Sequence, residues 1–355
     1  MLPKNDFAAL NSGGILQNLI LPSSSFYPAP LADRDVVTVK GKFFFLGEKK
    51  FFFKGVSYGP FSPGTHGASF PEKPVVEKDF ALMAELGANC IRTYTVPPDW
   101  LLDLAALYGL RLLIGIPWAQ HVAFLDSSAL KAEIRQAIAN GVKACRNHPA
   151  AFAYLVGNEI PPDIVRWHGP KRMRAFLKEL MAVAKEGAPE ALVSYANYPC
   201  TEYLDVDFTD FLCFNVYMHR EKDFRRYLSR LHNLADDKPL VLSEFGVDSI
   251  SEGTQAQAEI LSQKLSSSFE MGAAGTIVFS WTDEWFTGGF AIQDWAFGLV
   301  DHERLKKPAF KTVQQYYKTP LPPVLPEYPK VSVVVCAYNA ERTMNSCLAA
   351  CRRKV

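Results

Sequence analysis

Eight short apolar runs recur along this 355-residue chain, separated by longer stretches with helical periodicity or by Gly, Pro and Asn punctuation. The runs are GVSY (55–58), ANCIRTY (88–94), LRLLIGI (110–116), FAYLVGN (152–158), LVSYAN (192–197), FLCFNVY (211–217), LVLSEF (240–245) and TIVFSW (276–281). Helix candidates lie near 77–86, 98–108, 128–146, 170–186, 221–236, 254–271 and 308–317, with a shorter one after the fifth run. Strands that alternate with helices pair in parallel through right-handed crossovers. Eight such units in about 260 residues predict a closed (β/α)8 barrel. An open doubly wound sheet fits less well, because it carries a Gly-rich phosphate turn after its first strand and no GxGxxG follows any run here.

The flanks read differently. VVTVKGKFFFLGEKKFFFKGVSYGP, from residue 36, holds two aromatic β-prone runs around LGEKK, a hairpin placed to cap one end of the barrel. Residues 1–34 are rich in Ser, Pro and Gly and predict a flexible leader. The barrel is bounded at 35–318, and TPLPPVLPEYPK then marks a semi-rigid linker over 319–330. Residues 331–355 open as a buried strand, a turn and a helix start, too few to bury a core of their own.

The balance of 38 basic and 37 acidic residues, mixed along the chain, leaves no basic stripe to track a phosphate backbone, so nucleic acid is excluded as a partner. No window of 18 apolar residues escapes a charge, so no membrane span is predicted. The first 25 residues lack a charged start followed by an unbroken apolar core, which predicts cytoplasmic residence. Seven cysteines without paired metal spacing read as buried or idle thiols, and no metal site is expected.

In a (β/α)8 barrel, chemistry collects at the C-terminal ends of the strands. Those ends are Tyr58, Arg92 with Tyr94, Trp118, Asn158 with Glu159, Asn197, Asn215 with Tyr217, Glu244 and Trp281. Carboxylates close the fourth and seventh runs. Glycoside hydrolysis needs such a pair: one protonates the leaving oxygen, and the other attacks the anomeric carbon or activates water. A nearby Arg92 would hold one ionised, and a less polar setting would raise the pKa of the other.

The motifs GNE (157–159), SEFG (243–246), RTY (92–94), NVY (215–217) and FSW (279–281) resemble those of the clan A retaining glycoside hydrolases. KGVSYGPF, together with the hairpin before it, is similar to the start of the catalytic barrel in the β-galactosidase and β-glucuronidase family. The resemblance spans roughly residues 36–317 and implies Glu159 as acid/base and Glu244 as nucleophile. It also implies that Asn158 binds the sugar 2-hydroxyl, that Arg92 and Tyr217 steer the nucleophile, and that Trp281 forms a platform under the sugar. The tail VSVVVCAYNAERTMNSCL resembles the opening of a family 2 glycosyltransferase, which implies fusion to such a domain.

Each motif has a plainer reading. A lone Asn-Glu after a strand is also a common helix start, Arg92 also reads as a structural ion pair, and Trp281 as core. His121, Trp118, Trp285, Trp167 and Trp295 lie on or near strand-end loops, where they either meet sugar or wedge the loop. Asp283, Glu284 and Asp294 on the last loop read either as hydroxyl binders or as a solvated acidic loop. Arg92, Tyr94, Trp118, His121, Asn158, Asn197, Tyr217, Trp281 and Trp285 are the candidate substrate contacts. The expected activity is a retaining glycosidase or transglycosidase on a β-linked glucan-like oligo- or polysaccharide, with no cofactor. The rival is a non-catalytic sugar-binding barrel that holds polymer for the attached transferase.

Overall fold

The computed structural model describes residues 29–31, 36–64, 69–321, 330, 332 and 334–352. Eight parallel strands close into a barrel: β4 (Phe53–Tyr58), β5 (Cys90–Thr93), β6 (Arg111–Gly115), β7 (Ala151–Asn158), β8 (Leu192–Asn197), β9 (Leu212–Asn215), β10 (Leu240–Phe245) and β11 (Gly275–Val278). Their near-continuous Val, Ile and Leu content follows from burial on both faces, by side chains inside the barrel and by helices outside.

Before the barrel stand three antiparallel strands, β1 (Val37–Lys40), β2 (Phe43–Leu46) and β3 (Lys49–Phe51). The expected single hairpin is therefore a three-stranded meander. Gly41 and Gly47 both take positive φ, 57° and 58°, which supplies a second tight turn before the predicted one. The meander closes the N-terminal end of the barrel. Phe44 stacks on Phe53 at 4.1 Å and meets Phe211 edge-on at 5.4 Å, while Phe53 meets Phe152 at 5.0 Å. Phe44, Phe53 and Phe211 are fully buried, each worth about 2–3 kcal/mol of apolar burial.

The helices are α1 (Lys73–Leu86), α2 (Asp99–Leu107), α3 (Ser128–Cys145), α4 (Pro162–His168), α5 (Pro170–Gly187), α6 (Glu221–Ala235), α7 (Ser249–Glu252), α8 (Thr254–Glu270), α9 (Pro308–Lys318) and α10 (Glu341–Arg352). Their ends carry local signals. Gly87 terminates α1 at φ 87°, with its N–H on the Ala84 carbonyl, and the Ser127 hydroxyl accepts from the Leu130 N–H to start α3. In α6, Phe224, Leu228, Leu231 and Ala235 form the buried stripe. The short α4 starts on Pro162, in a first turn where a missing N–H costs nothing.

The helix that follows the eighth barrel strand locks the barrel shut. Tyr317 of α9 donates to the Gly55 carbonyl at 2.7 Å, and Lys54 donates to the Tyr317 carbonyl at 2.5 Å. Residues 1–28, 32–35 and 322–329 lie outside the described residues, so most of the expected leader and linker does too. In the tail, 334–337 carry no strand and Val334 is 83% exposed, in place of the expected buried strand. Among the described residues these four have no strand partner, and an unpaired strand is not stable in water. Among the described residues no helix is long and apolar enough to cross a membrane.

Candidate active site

Both carboxylates stand at the C-terminal mouth, and both strands carrying them break register just before delivering them. The β7 and β8 pairing shifts between Leu155 and Asn158, and the β9 and β10 pairing shifts between Leu242 and Glu244. Such bulges re-aim a side chain that a regular pleat would send elsewhere. Glu159 follows β7 with a φ of 47°, a left-handed backbone uncommon for a residue that carries a side chain. Its N–H donates to the Ala196 carbonyl at 2.9 Å, which holds that conformation against β8.

Gly157 beside it leaves little room for a side chain. A Cβ there would lie 3.2 Å from the Tyr195 ring and 3.3 Å from Trp118. The side chain of Gln120 closes on Asn158 from the next loop, accepting from its N–H at 3.1 Å and donating to its carbonyl.

Glu244, 7% exposed, is gripped from three sides. Tyr94 donates to Oε1 at 2.9 Å, Tyr217 donates to Oε2 at 2.8 Å, and the Arg92 guanidinium lies 2.9 Å from Oε1. Arg92 is 1% exposed and also donates to Oδ1 of Asn215 (3.0 Å), the Ser243 carbonyl (2.7 Å) and Oδ1 of Asn158 (2.7 Å). The permanent charge of Arg92 and the two tyrosine hydroxyls thus engage both oxygens of the Glu244 carboxyl and fix its orientation. The Tyr94 hydroxyl, buried and facing Glu244, is held protonated well past its ordinary range, so it remains a donor.

Glu159 sits in the opposite environment. Burial pushes its carboxyl up to about 7, and the nearby negative charge of Glu244 pushes the same way. Nδ2 of Asn215 donates to its Oε1 at 2.8 Å and only partly offsets the two.

Between and above the carboxylates opens a cavity of about 590 Å³. One wall is aromatic: Trp285 meets Tyr94 at 5.1 Å and Phe279 at 4.9 Å, with Trp295 6.0 Å beyond and Phe297 5.2 Å from Phe279. Gly246 admits this wall, since a Cβ there would fall 2.1 Å from the Phe279 carbonyl and 3.1 Å from Phe297. The far rim is Tyr198, Cys200 and Met218. A second cavity, about 480 Å³, lies at the N-terminal end by Val36 and Phe152 and holds none of these groups.

Of the candidates named from sequence, Tyr94, Asn158, Glu159, Tyr217, Glu244 and Trp285 line the mouth, and Arg92 underlies it. Four do not. Trp281 is fully buried, 6.3 Å from Phe310 of α9, so it is core and not a platform. Trp118 donates its N–H to the Val156 carbonyl at 2.8 Å and packs on Phe124 at 4.9 Å, which makes it a loop wedge. The amide of Asn197, 1% exposed, is used by Thr201 and by the Tyr198 N–H. His121 is exposed outside the cavity lining.

Trp167, 71% exposed, donates to Asp126, whereas Trp295 does line the cavity. Asp283 pairs with Lys307 at 2.7 Å and Glu284 with Arg304 at 2.5 Å, so neither acid is a free hydroxyl binder. Phe279 and Phe297 were missed as cavity lining. Phe279 opens the FSW motif, and its place just past β11 was the available signal. Among the described residues no group of His, Cys, Asp and Glu forms a metal-holding cluster.

Residues 37–319 match the glycosyl hydrolases family 2, TIM barrel domain. The chain belongs to that family. Rat β-glucuronidase is 29% identical over 244 residues, covering 64% of this chain and 36% of the relative. Human β-glucuronidase is 27% identical over 253 residues, covering 66% and 37%. The chain thus spans a little over a third of these curated relatives. Among solved structures, Bifidobacterium dentium β-glucuronidase complexed with coumarin-3-O-glucuronide superposes with a TM-score of 0.69 at 20% identity, over 80% of this chain and 50% of that one. Ruminococcus gnavus β-glucuronidase in complex with D-glucuronic acid gives 0.68 at 19% identity, over 80% and 52%. At such identity the likeness is one of fold.

Proposed function

We propose that the barrel is a retaining β-glycosidase in which Glu244 is the nucleophile and Glu159 the acid/base. The observation that carries this reading is the division of environments: three donors on Glu244, against a Glu159 carboxyl raised to about 7. Asn215 and Arg92 connect the two through side-chain contacts, which supports the short separation that retention needs.

In the first step a lone pair of Glu244 forms a bond to the anomeric carbon, the glycosidic C–O bond breaks, and the Glu159 proton passes to the departing oxygen. Esterification consumes the charge of Glu244. One of the two causes that raise Glu159 is then gone, so its carboxylate becomes easier to maintain and serves as base. It takes a proton from water or a sugar hydroxyl, whose oxygen attacks the anomeric carbon and releases Glu244. Asn158, its backbone held by Gln120 and its Oδ1 by Arg92, takes the contact with the sugar 2-hydroxyl in this reading. The aromatic wall is suited to stacking on the pyranose face.

The relatives named β-glucuronidase support a β-linked pyranosyl donor. Transfer to a glucan acceptor is the finer reading, supported by the resemblance of 331–355 to a family 2 glycosyltransferase, which would make the barrel (35–318) a remodelling unit joined by the linker (319–330). Proton NMR of the first-formed sugar from an aryl β-glycoside tests the mechanism. A β-anomer that disappears in Glu244→Gln supports it, and an α-anomer overturns it. Products longer than the substrate support transfer.

A further inference from the structure

We propose that the donor-sugar pocket selects a neutral hexosyl group and rejects a hexuronosyl one; this rests on the glycosidase reading and concerns the charge at C6. Glucose and glucuronate share the ring and its hydroxyls, so discrimination falls on that one carbon. Among the described residues lining the cavity, the only charged side chains are Glu159 and Glu244, both acids. A third carboxylate would enter beside them without a counter-charge.

The cations around the mouth are already committed, among them Arg220, two residues past the lining residue Met218, which pairs with Asp223 at 2.6 Å. Arg92, buried beneath the cavity, turns Nη1 and Nη2 to Glu244, Asn215, Asn158 and the Ser243 carbonyl, and its remaining Nε, though without a partner, is sealed from the cavity by burial. Lys307 stands behind the aromatic wall, held by Asp283 (2.7 Å), Ser249 (3.0 Å) and the Ala296 carbonyl (3.1 Å). Arg304, 8% exposed, pairs with Asp79 at 3.1 Å and with Glu284 at 2.5 Å. Recruiting either last-loop cation would strip a buried acid of its partner, a cost charged against binding.

What the wall offers instead is apolar surface. Phe279, Trp285, Trp295 and Phe297 form a continuous ring cluster whose faces would desolvate a carboxylate and return no charge, only the neutral indole N–H groups of the two tryptophans, and would stack on the C–H face of a neutral sugar.

The test uses the full chain with 2-deoxy-2-fluoro-β-glycosyl fluorides of gluco, galacto, manno and glucurono configuration, following labelling of Glu244 by intact mass. At least one neutral donor is expected to label about 100-fold faster than the glucuronosyl donor. Labelling by the glucuronosyl donor at an equal or greater rate overturns the charge inference and leaves the glycosidase reading standing. If no donor labels a folded chain, the glycosidase reading fails, and calorimetry with isofagomine and uronic isofagomine then decides the charge question. Tighter binding of the neutral compound supports the inference; tighter binding of the uronic compound, or binding of neither, overturns it.

Discussion

Asn215 donates a 2.8 Å hydrogen bond to Oε1 of Glu159, and its own Oδ1 accepts from Arg92, the guanidinium paired with Glu244. One side chain therefore touches both halves of the carboxylate machinery. It also receives the Ser243 hydroxyl at 2.8 Å, so its orientation is set by the strand that carries Glu244. Because Asn215 supports the ionised form of Glu159, it works against the burial that raises that carboxyl, and the balance lands near neutrality.

That balance predicts a pH profile. With its carboxyl near 7, Glu159 holds the proton for the leaving oxygen below that pH and loses it above. The kcat/KM of the free enzyme should decline tenfold per unit on the alkaline side of about 7. In Asn215→Ala the ionised form loses its hydrogen bond, so the alkaline limb should move to higher pH even as the rate falls. A limb that stays in place, or moves down, would refute the role given to Asn215.

Leaving groups separate the two glutamates. Glu159→Ala should lose on the order of 10³-fold on an aryl glycoside whose phenol must be protonated, and little in the glycosylation of enzyme by a 2,4-dinitrophenyl glycoside, which departs unaided. Glu244→Gln should lose both, by on the order of 10⁴-fold or more. Stopped-flow release of the phenol measures the first step alone. Equal losses on both leaving groups in Glu159→Ala would remove it from the acid role.

The two tryptophans of the last loop should behave in opposite ways. Trp281→Ala empties a fully buried site and should cost about 3–5 kcal/mol, lowering Tm by roughly 10 °C. Trp285→Ala removes a half-buried cavity wall and should leave Tm within about 2 °C of the parent, while raising KM about tenfold. Calorimetry and steady-state kinetics on the two variants check this, and a reversed pattern would return Trp281 to the sugar platform.

The barrel was legible because buried strands announce themselves. LVSYAN and LVLSEF coincide with β8 and β10 residue for residue, since both faces of each are covered and no charge interrupts them until the mouth. The glutamates stood out for the same reason, as polar ends of apolar runs. Side-chain direction at those ends was not legible. A shift of one residue reverses the face a strand presents, and the shifts before Asn158 and Glu244 lie at the residues in question. Beyond β11, which ends at Val278, alternation no longer governs at all, so Phe279 faces the cavity while Trp281 turns into the core. Composition cannot separate those rings, because core and sugar-stacking surfaces use the same residues.

Holding Glu159 ready as an acid should cost the fold stability at high pH. Its carboxyl ionises near 4.5 in an open chain and near 7 in the barrel. Below 4.5 both states are protonated and the residue is neutral in its effect. As pH rises from there through 7, the unfolded chain releases a proton that the folded one retains, so stability declines, and above 7 the full penalty is present. Glu159→Gln keeps an acceptor for Asn215 and removes the ionisation. Its Tm should exceed the parent's by roughly 3 °C or more at pH 8, with the gap narrowing steadily toward pH 5. Differential scanning calorimetry across that range reads the gap directly. A difference that stays constant with pH would mean that Glu159 titrates normally, and the acid/base assignment would lose its physical basis.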